Sequence, residues 1–318
     1  MLNAQRAMFN DGGFMQGLRP IERCALSIDH CPCTLCPREC GADRTKSRGA
    51  CGCGNEVRVA RAALHFYEEP PFSGDRGSGT IFFSGCNLRC VYCQNYVLQS
   101  GDAGRVVTAA ELAGLMLQLE AEGAHNINLV TPAPHLRMLL DAIPLARARG
   151  LAIPILYNTS GYEKAESLRA LEGLVDIYLP DFKYCDERLA ARFSGAGDYF
   201  PVAVAAIAEM FRQVGHLRCD TDGIAMRGVC IRHLVLPGCA FDSRAVLREI
   251  AARFGTQTQI SLMRQYAPTP NASFAPLNRT VTDREYEGCV DLCREIGLEN
   301  VFLQDKEAAS LAFTPEFG

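Results

Sequence analysis

Cys86, Cys90 and Cys93 follow one another at C-x3-C-x2-C, directly after a short β-type run over 80–84 and Gly85. Three thiolates on one tight loop suit three irons of a cubane [4Fe-4S] cluster and leave the fourth iron without a protein ligand. A catalytic site needs such an open metal position, because a substrate must bind there. The alternative is a zinc knuckle, which needs a fourth ligand that His65 or Cys53 can supply.

A second group lies upstream. Cys33-x2-Cys36-x3-Cys40-x10-Cys51 offers four thiolates, with Gly41, Gly49 and Gly52 for the turns and Cys31 and Cys53 as spare candidates. Four cysteines close a tetrahedral zinc site, and C-x2-C is a usual knuckle spacing. The same C-x2-C-x3-C run also serves auxiliary iron–sulfur clusters, so Zn2+ and a second Fe-S cluster both stay open. A segment this turn-rich has little core of its own, and a metal would help it fold.

The remaining cysteines read as bland. Cys289 and Cys293 share a helical face with Tyr286, Val290 and Ile296, as small core residues do. In all there are 16 cysteines, and residues 1–20 carry no apolar core of signal-peptide type. Such a count without a secretory segment points to metal or redox chemistry in a reducing compartment, so the cytoplasm is expected. The formal net charge of −4 is spread without long runs of one sign, which argues against a nucleic-acid partner. No stretch approaches the roughly 20 apolar residues that span a bilayer, so no membrane is expected.

These loops must be positioned by an alternation of apolar runs and amphipathic segments. Strands are expected over 80–84, 126–130, 153–158, 175–182, 229–236 and 259–263. Helices are expected after the Thr108/Glu111 capping box, then over 135–149, 163–171, 201–214 and 243–254, and last from the Thr282/Glu285 capping box to Gly297. Before residue 75 the chain is turn-rich and adds no βα unit. The fold class is therefore α/β, a partial (β/α)6 barrel with a small Cys-rich N-terminal metal-binding region. The expected divisions are 1–75 for that region, 76–275 for the barrel core, and 276–318 for a C-terminal helix and tail. In such architectures the chemistry sits at the C-terminal ends of the strands. Arg232 and His233, one step apart on a strand, must point to opposite faces.

Cys86-x3-Cys90-x-Tyr92-Cys93 matches the signature of the radical S-adenosylmethionine (SAM) superfamily, aromatic residue included. The words H-F-Y-E-E-P-P from His65, G-S-G-T-I-F-F-S-G-C from Gly77, Y-N-T-S-G-Y from Tyr157, D-I-Y-L-P-D-F-K from Asp176 and I-R-H-L-V-L-P-G from Ile231 go further. They resemble uncharacterised homologues of pyruvate formate-lyase activating enzymes, over about 33–304 of the chain.

The resemblance implies a radical SAM oxidoreductase with a barrel fold. SAM would chelate the fourth iron, and its reductive cleavage would give methionine and a 5′-deoxyadenosyl radical that abstracts hydrogen from a substrate. It also implies site roles. Tyr92 would lie near the adenine. Asn158 and Thr159 stand in a word similar to the activases' D-T-N-G, and Asp181 and Lys183 in one similar to their D-L-K, at the polar ends of SAM. Arg232 resembles the arginine of their R-x-V-V-x-P-G word. Asn128 and Thr131 stand where the family's G-G-E word would receive the SAM amino group. Asn158 replaces an acid, and no histidine matches near Gln265 and Tyr266.

The implied partners are an electron donor such as flavodoxin or ferredoxin and, for an activase, a glycyl radical enzyme whose backbone glycine loses hydrogen. Direct modification of a peptide or small molecule is the other branch. A non-catalytic iron–sulfur protein for electron transfer or redox sensing is the reading from another class.

Overall fold

The computed structural model describes residues 32–309 and Phe317. Cys31 and the signal-peptide reading of residues 1–20 lie outside the described residues. In chain order the elements are β1 (Val57–His65), β2 (Ser78–Phe83), β3 (Arg105–Val107), α1 (Ala109–Ala121), β4 (Ile127–Val130), α2 (Leu136–Ala148), β5 (Ile155–Thr159), α3 (Ala165–Arg169) and β6 (Ile177–Pro180). There follow α4 (Glu187–Ser194), α5 (Tyr199–Val214), β7 (Arg218–Cys219), β8 (Ala225–Leu234), α6 (Ala240–Phe254), β9 (Gln259–Met263), α7 (Asp283–Glu295) and β10 (Val301–Leu303).

The six expected strands are all present, as β2, β4, β5, β6, β8 and β9, and each pairs in parallel with the next. Their apolar runs are continuous because both faces are covered: β2, β4 and β6 are buried at every position. One face meets the helices and the other faces the barrel interior. Both expected capping boxes form, Thr108 with Glu111 and Thr282 with Glu285, so α1 and α7 start where the sequence places them. The result is an open α/β barrel, a partial (β/α)6 arrangement whose sheet runs β10-β9-β8-β6-β5-β4-β2-β1-β3.

Several elements were not foreseen. The stretch before residue 75 adds no βα unit, but it does supply β1, antiparallel to β2 and carrying β3 on its other side. Its V-R-V-A-R-A-A-L run alternates only over its first residues, because the register shifts between Val59 and Arg61 and alanines follow. β10 extends the parallel sheet beyond β9. The short helix α4 starts at an Asp186 cap, whose carboxylate accepts from the amides of Arg188 and Leu189. The helix expected over 163–171 is shorter, as α3.

Candidate functional site

The C-x3-C-x2-C loop leaves β2 through Gly85, whose φ of +93° lies in the left-handed region. A Cβ at Gly85 would collide with the Cys53 sulfur, so this turn needs glycine on two counts. Arg38 ties the loop down from the N-terminal side. Its guanidinium donates to the carbonyls of Asn87 (2.8 Å) and Leu88 (3.2 Å) and to those of Ser194 (3.0 Å) and Gly195 at the end of α4. That helix end gathers partial negative charge, which an arginine complements. On the far side, the Val91 amide donates to the Phe193 carbonyl at 2.8 Å.

Donors point at the sulfurs. The Leu88 amide lies 3.4 Å from Cys86 Sγ, and the Ser194 hydroxyl donates to Cys90 Sγ at 3.0 Å. Behind Ser194 stands the Tyr184 hydroxyl at 2.8 Å, which in turn shares a 2.6 Å hydrogen bond with Tyr92. Burial pushes the thiols of Cys90 and Cys93 up, Cys93 to about 12, with the Lys183 ammonium opposing the shift. Sulfurs that accept hydrogen bonds beside a cation are suited to bear charge as metal thiolates.

All three cysteines line one cavity of about 390 Å³. The same cavity receives Tyr92, Thr131, Asn158, Thr159, Asp181, Lys183 and Arg232 from the ends and interior positions of successive strands. Lys183 Nζ sits 2.6 Å from Asp181 Oδ2. Burial would lower the lysine, but the Asp181 carboxylate and the Cys90 sulfur outweigh it and hold the ammonium above its ordinary range. Tyr199 fixes this corner, accepting from the Lys183 amide (3.0 Å) and donating to the Asp181 carbonyl (2.8 Å). Thr131 turns the chain after β4 with φ +58°, a strained value for a β-branched residue. Thr159 donates to Glu163, which also accepts from Tyr157 at 2.8 Å. Burial raises that carboxyl to about 7.

Two expected positions behave otherwise. Asn128 is fully buried beneath the cavity lining and donates to Glu68 Oε1 at 2.8 Å. Arg232 does reach the cavity, but Glu68 and Glu69 take up its guanidinium, with Nε 2.7 Å from Glu69 Oε1. His65 pairs with Ser78 at the start of β2, so the turn after it closes the end of the barrel opposite the cysteine loop. The Glu68–Glu69 turn was legible as a turn. Nothing in the sequence tied it to an arginine more than 160 positions away. Ser194 and Tyr184 were missed because they depend on α4. His233 points away from the cavity as expected, with Nδ1 2.7 Å from the Phe182 carbonyl. Cys289 and Cys293 are buried in the core.

The upstream cysteines sit against the same loop. The Cys86 amide donates to the Cys51 carbonyl at 3.0 Å, and Cys53 Sγ lies 3.4 Å from the Ser84 carbonyl. Among the described residues, no three His, Cys, Asp or Glu side chains converge on a point sized for a single ion, in either cysteine group. No described helix is long and apolar enough to cross a membrane.

The sequence profile of the Radical SAM superfamily matches residues 80–242. An uncharacterized protein of Methanocaldococcus jannaschii is 27% identical over 280 residues, covering 85% of this chain and 76% of that protein. The pyruvate formate-lyase-activating enzyme of Clostridium pasteurianum is 27% identical over 180 residues, covering 54% of this chain and 66% of that enzyme. The crystal structure of HydG, a maturase of the [FeFe]-hydrogenase, superposes with a TM-score of 0.51 at 14% identity, over 77% of this chain and 56% of that one. The last likeness is one of fold, and this chain spans little over half of HydG. The profile covers half of the chain, from β2 to the start of α6, and on that ground the chain belongs to the radical SAM superfamily, whose chemistry rests on a [4Fe-4S] cluster and SAM.

Proposed function

We propose that this is a radical SAM enzyme in which Cys86, Cys90 and Cys93 hold the [4Fe-4S] cluster and the cavity beside them binds SAM. The carrying observation is that three thiols of one loop open into the same cavity as Asp181 and Lys183. The donor set fits the cluster: three sulfurs, two of them accepting hydrogen bonds from the protein. Bound together, a reduced cluster and SAM supply one-electron cleavage of the sulfonium and hydrogen-atom abstraction from a substrate. The chain's residues do the rest. Lys183 offers a fixed cation to a carboxylate, with Asp181 orienting it. Tyr92 and its buried hydroxyl chain wall off the cluster loop from water. Thr131, Asn158 and Thr159 present polar groups along the ends of β4 and β5, beside Asp181.

Support for the finer reading, hydrogen abstraction from a glycine of a partner glycyl radical enzyme, comes from the likeness to the Clostridium pasteurianum enzyme. Tyr67 and Leu303, at the cavity rim, are 65% and 51% exposed and offer apolar surface to a protein. An electron donor of flavodoxin or ferredoxin type would complete the system. The upstream thiols of Cys33, Cys36, Cys40 and Cys51 are read as a second metal site, for Zn2+ or iron–sulfur. All described cysteines are free thiols, which suits a reducing cytoplasm.

Anaerobic reconstitution followed by reduction with SAM should yield 5′-deoxyadenosine, and Cys90→Ala should abolish it. An intact cluster that never yields 5′-deoxyadenosine overturns the reading in favour of a non-catalytic iron–sulfur protein. A glycyl-type EPR signal on an added candidate protein would support the activase branch; turnover of a free peptide or small molecule without it would reject that branch.

A further inference from the structure

Arg44 is a buried charge without a carboxylate. Its residue is 6% exposed, and its guanidinium donates to two backbone carbonyls, Gly54 (2.9 Å) and Pro134 (2.7 Å), with no acidic partner among the described residues. Arginine does not shed its proton in proteins, so burial without a counter-charge is costly. Its acceptor Gly54 follows Cys53, whose carbonyl takes the Gly49 amide (2.9 Å) from the turn between Cys40 and Cys51, so the guanidinium lies against the cysteine segment.

The sulfurs of that segment belong to a formed corner. The turn after Cys33 is closed by Glu39 N–H to the Cys36 carbonyl (3.0 Å) and Gly41 N–H to the Cys33 carbonyl (3.1 Å), which brings Cys40 back beside Cys33. A Cβ on Gly49 would press within 3.3 Å of Cys40 Sγ and 3.5 Å of Cys51 Sγ, so glycine leaves the space between these two sulfurs open. The four thiols do not meet at one ion-sized point, and neither do Cys86, Cys90 and Cys93. A cubane takes thiolates at separate corners, whereas a zinc ion draws four sulfurs to about 2.3 Å.

The corner also runs inward. Cys40 is exposed, Cys51 is buried, and the Cys51 carbonyl accepts from the amide of Cys86, which lines the cavity. We propose that Cys33, Cys36, Cys40 and Cys51 hold a second iron–sulfur cluster, with Arg44 as its buried counter-charge, that passes electrons to the first through the Cys51–Cys86 contact. The proposal rests on the reading of Cys86, Cys90 and Cys93 as ligands of the first cluster. One electron leaves a low-potential donor protein, enters the second cluster and leaves it to reduce the first. The second cluster ends in its starting state and no proton moves.

The test uses the full chain, reconstituted anaerobically. Cys86→Ala/Cys90→Ala/Cys93→Ala, checked for folding by circular dichroism, should keep about four irons and an EPR signal on reduction, against about eight irons in the unaltered chain. Zinc in place of iron, or loss of all iron from a folded triple variant, overturns the second cluster. Failure of the first-cluster reading looks different: the unaltered chain and the triple variant would then carry the same iron and the same signal. Arg44→Met should lose the second signal and keep the first. In Cys40→Ala, reduction of the first cluster by reduced flavodoxin should slow at least tenfold while reduction by dithionite does not. Equal slowing with both reductants, or with neither, overturns the relay.

Discussion

Ser194→Ala tests whether α4 tunes the cluster loop. Ser194 is 1% exposed, and its hydroxyl meets Cys90 Sγ at 3.0 Å in a site that excludes water. A hydrogen bond to a charged acceptor contributes about 1.5–3 kcal/mol, and the sulfur gains charge when the cluster is reduced. If roughly a third to a half of that strength tracks the added electron, the bond favours the reduced state by about 1 kcal/mol, or about 40 mV for one electron. Losing the hydroxyl should therefore lower the midpoint potential by about 40 mV, a roughly fivefold change in the reduction equilibrium. Tyr184→Phe, which removes the hydroxyl that orients and polarises Ser194, should shift it the same way by less. The assay is an anaerobic redox titration followed by EPR, at matched iron content, with Ser194→Thr restoring the value. A fully loaded Ser194→Ala cluster whose potential is unchanged, or rises, refutes the tuning.

Other perturbations have signs fixed by the geometry. Glu163 has its carboxyl raised from 4.5 to about 7 by burial, so the folded state holds a proton that the unfolded chain sheds. Its contribution is complete below about pH 4.5 and falls away as pH rises towards 7, by about 3 kcal/mol in all; Glu163→Gln should flatten that slope in urea unfolding between pH 4.5 and 7. Arg232→Met should destabilise by about 3–5 kcal/mol, measured the same way, because Glu68 and Glu69 are left buried together without their cation. The triple change with Glu68→Gln and Glu69→Gln should recover most of that loss. Gly85→Ala should cut iron incorporation sharply while leaving far-UV circular dichroism intact, because its Cβ meets the Cys53 sulfur at the root of the cluster loop.

What the sequence made legible follows the range of each signal. The six parallel strands were readable because each carries an apolar run, continuous and buried throughout in β2, β4 and β6, and the capped helices because Thr108/Glu111 and Thr282/Glu285 are local pairs. The cysteine loop was readable from spacing alone. β1 was harder, since its alternation hides among alanines, and α4 harder still at eight residues. The larger gaps are long-range. In the sequence Arg232 is free to meet a ligand, and only the fold brings the turn at Glu68 and Glu69 beneath it; Arg44 is one charge among 32 lysines and arginines. Only folding shows that no carboxylate reaches Arg44 among the described residues, while its guanidinium is laid against the cysteine segment at Gly54.

The shape of the cavity bears on what receives the radical. At its lower end the Glu68–Glu69 turn lines the cavity and is clamped to Arg232. Among the described residues the sheet does not close, because its edge strands β10 and β3 have no pairing with each other. The cavity wall draws on both sides of that gap, Phe302 and Leu303 from β10 and His65 and Tyr67 from the end of β1 and the turn beyond it. A polypeptide can lie across such a gap with one residue inserted, its flanks resting on Tyr67 and Leu303. A free small molecule would gain nothing from exposed apolar groups at the rim, which carry a solubility cost. The rim therefore favours the protein-substrate branch of the proposed function, and replacing Tyr67 and Leu303 together by serine should weaken a protein substrate's KM while leaving uncoupled 5′-deoxyadenosine formation unchanged.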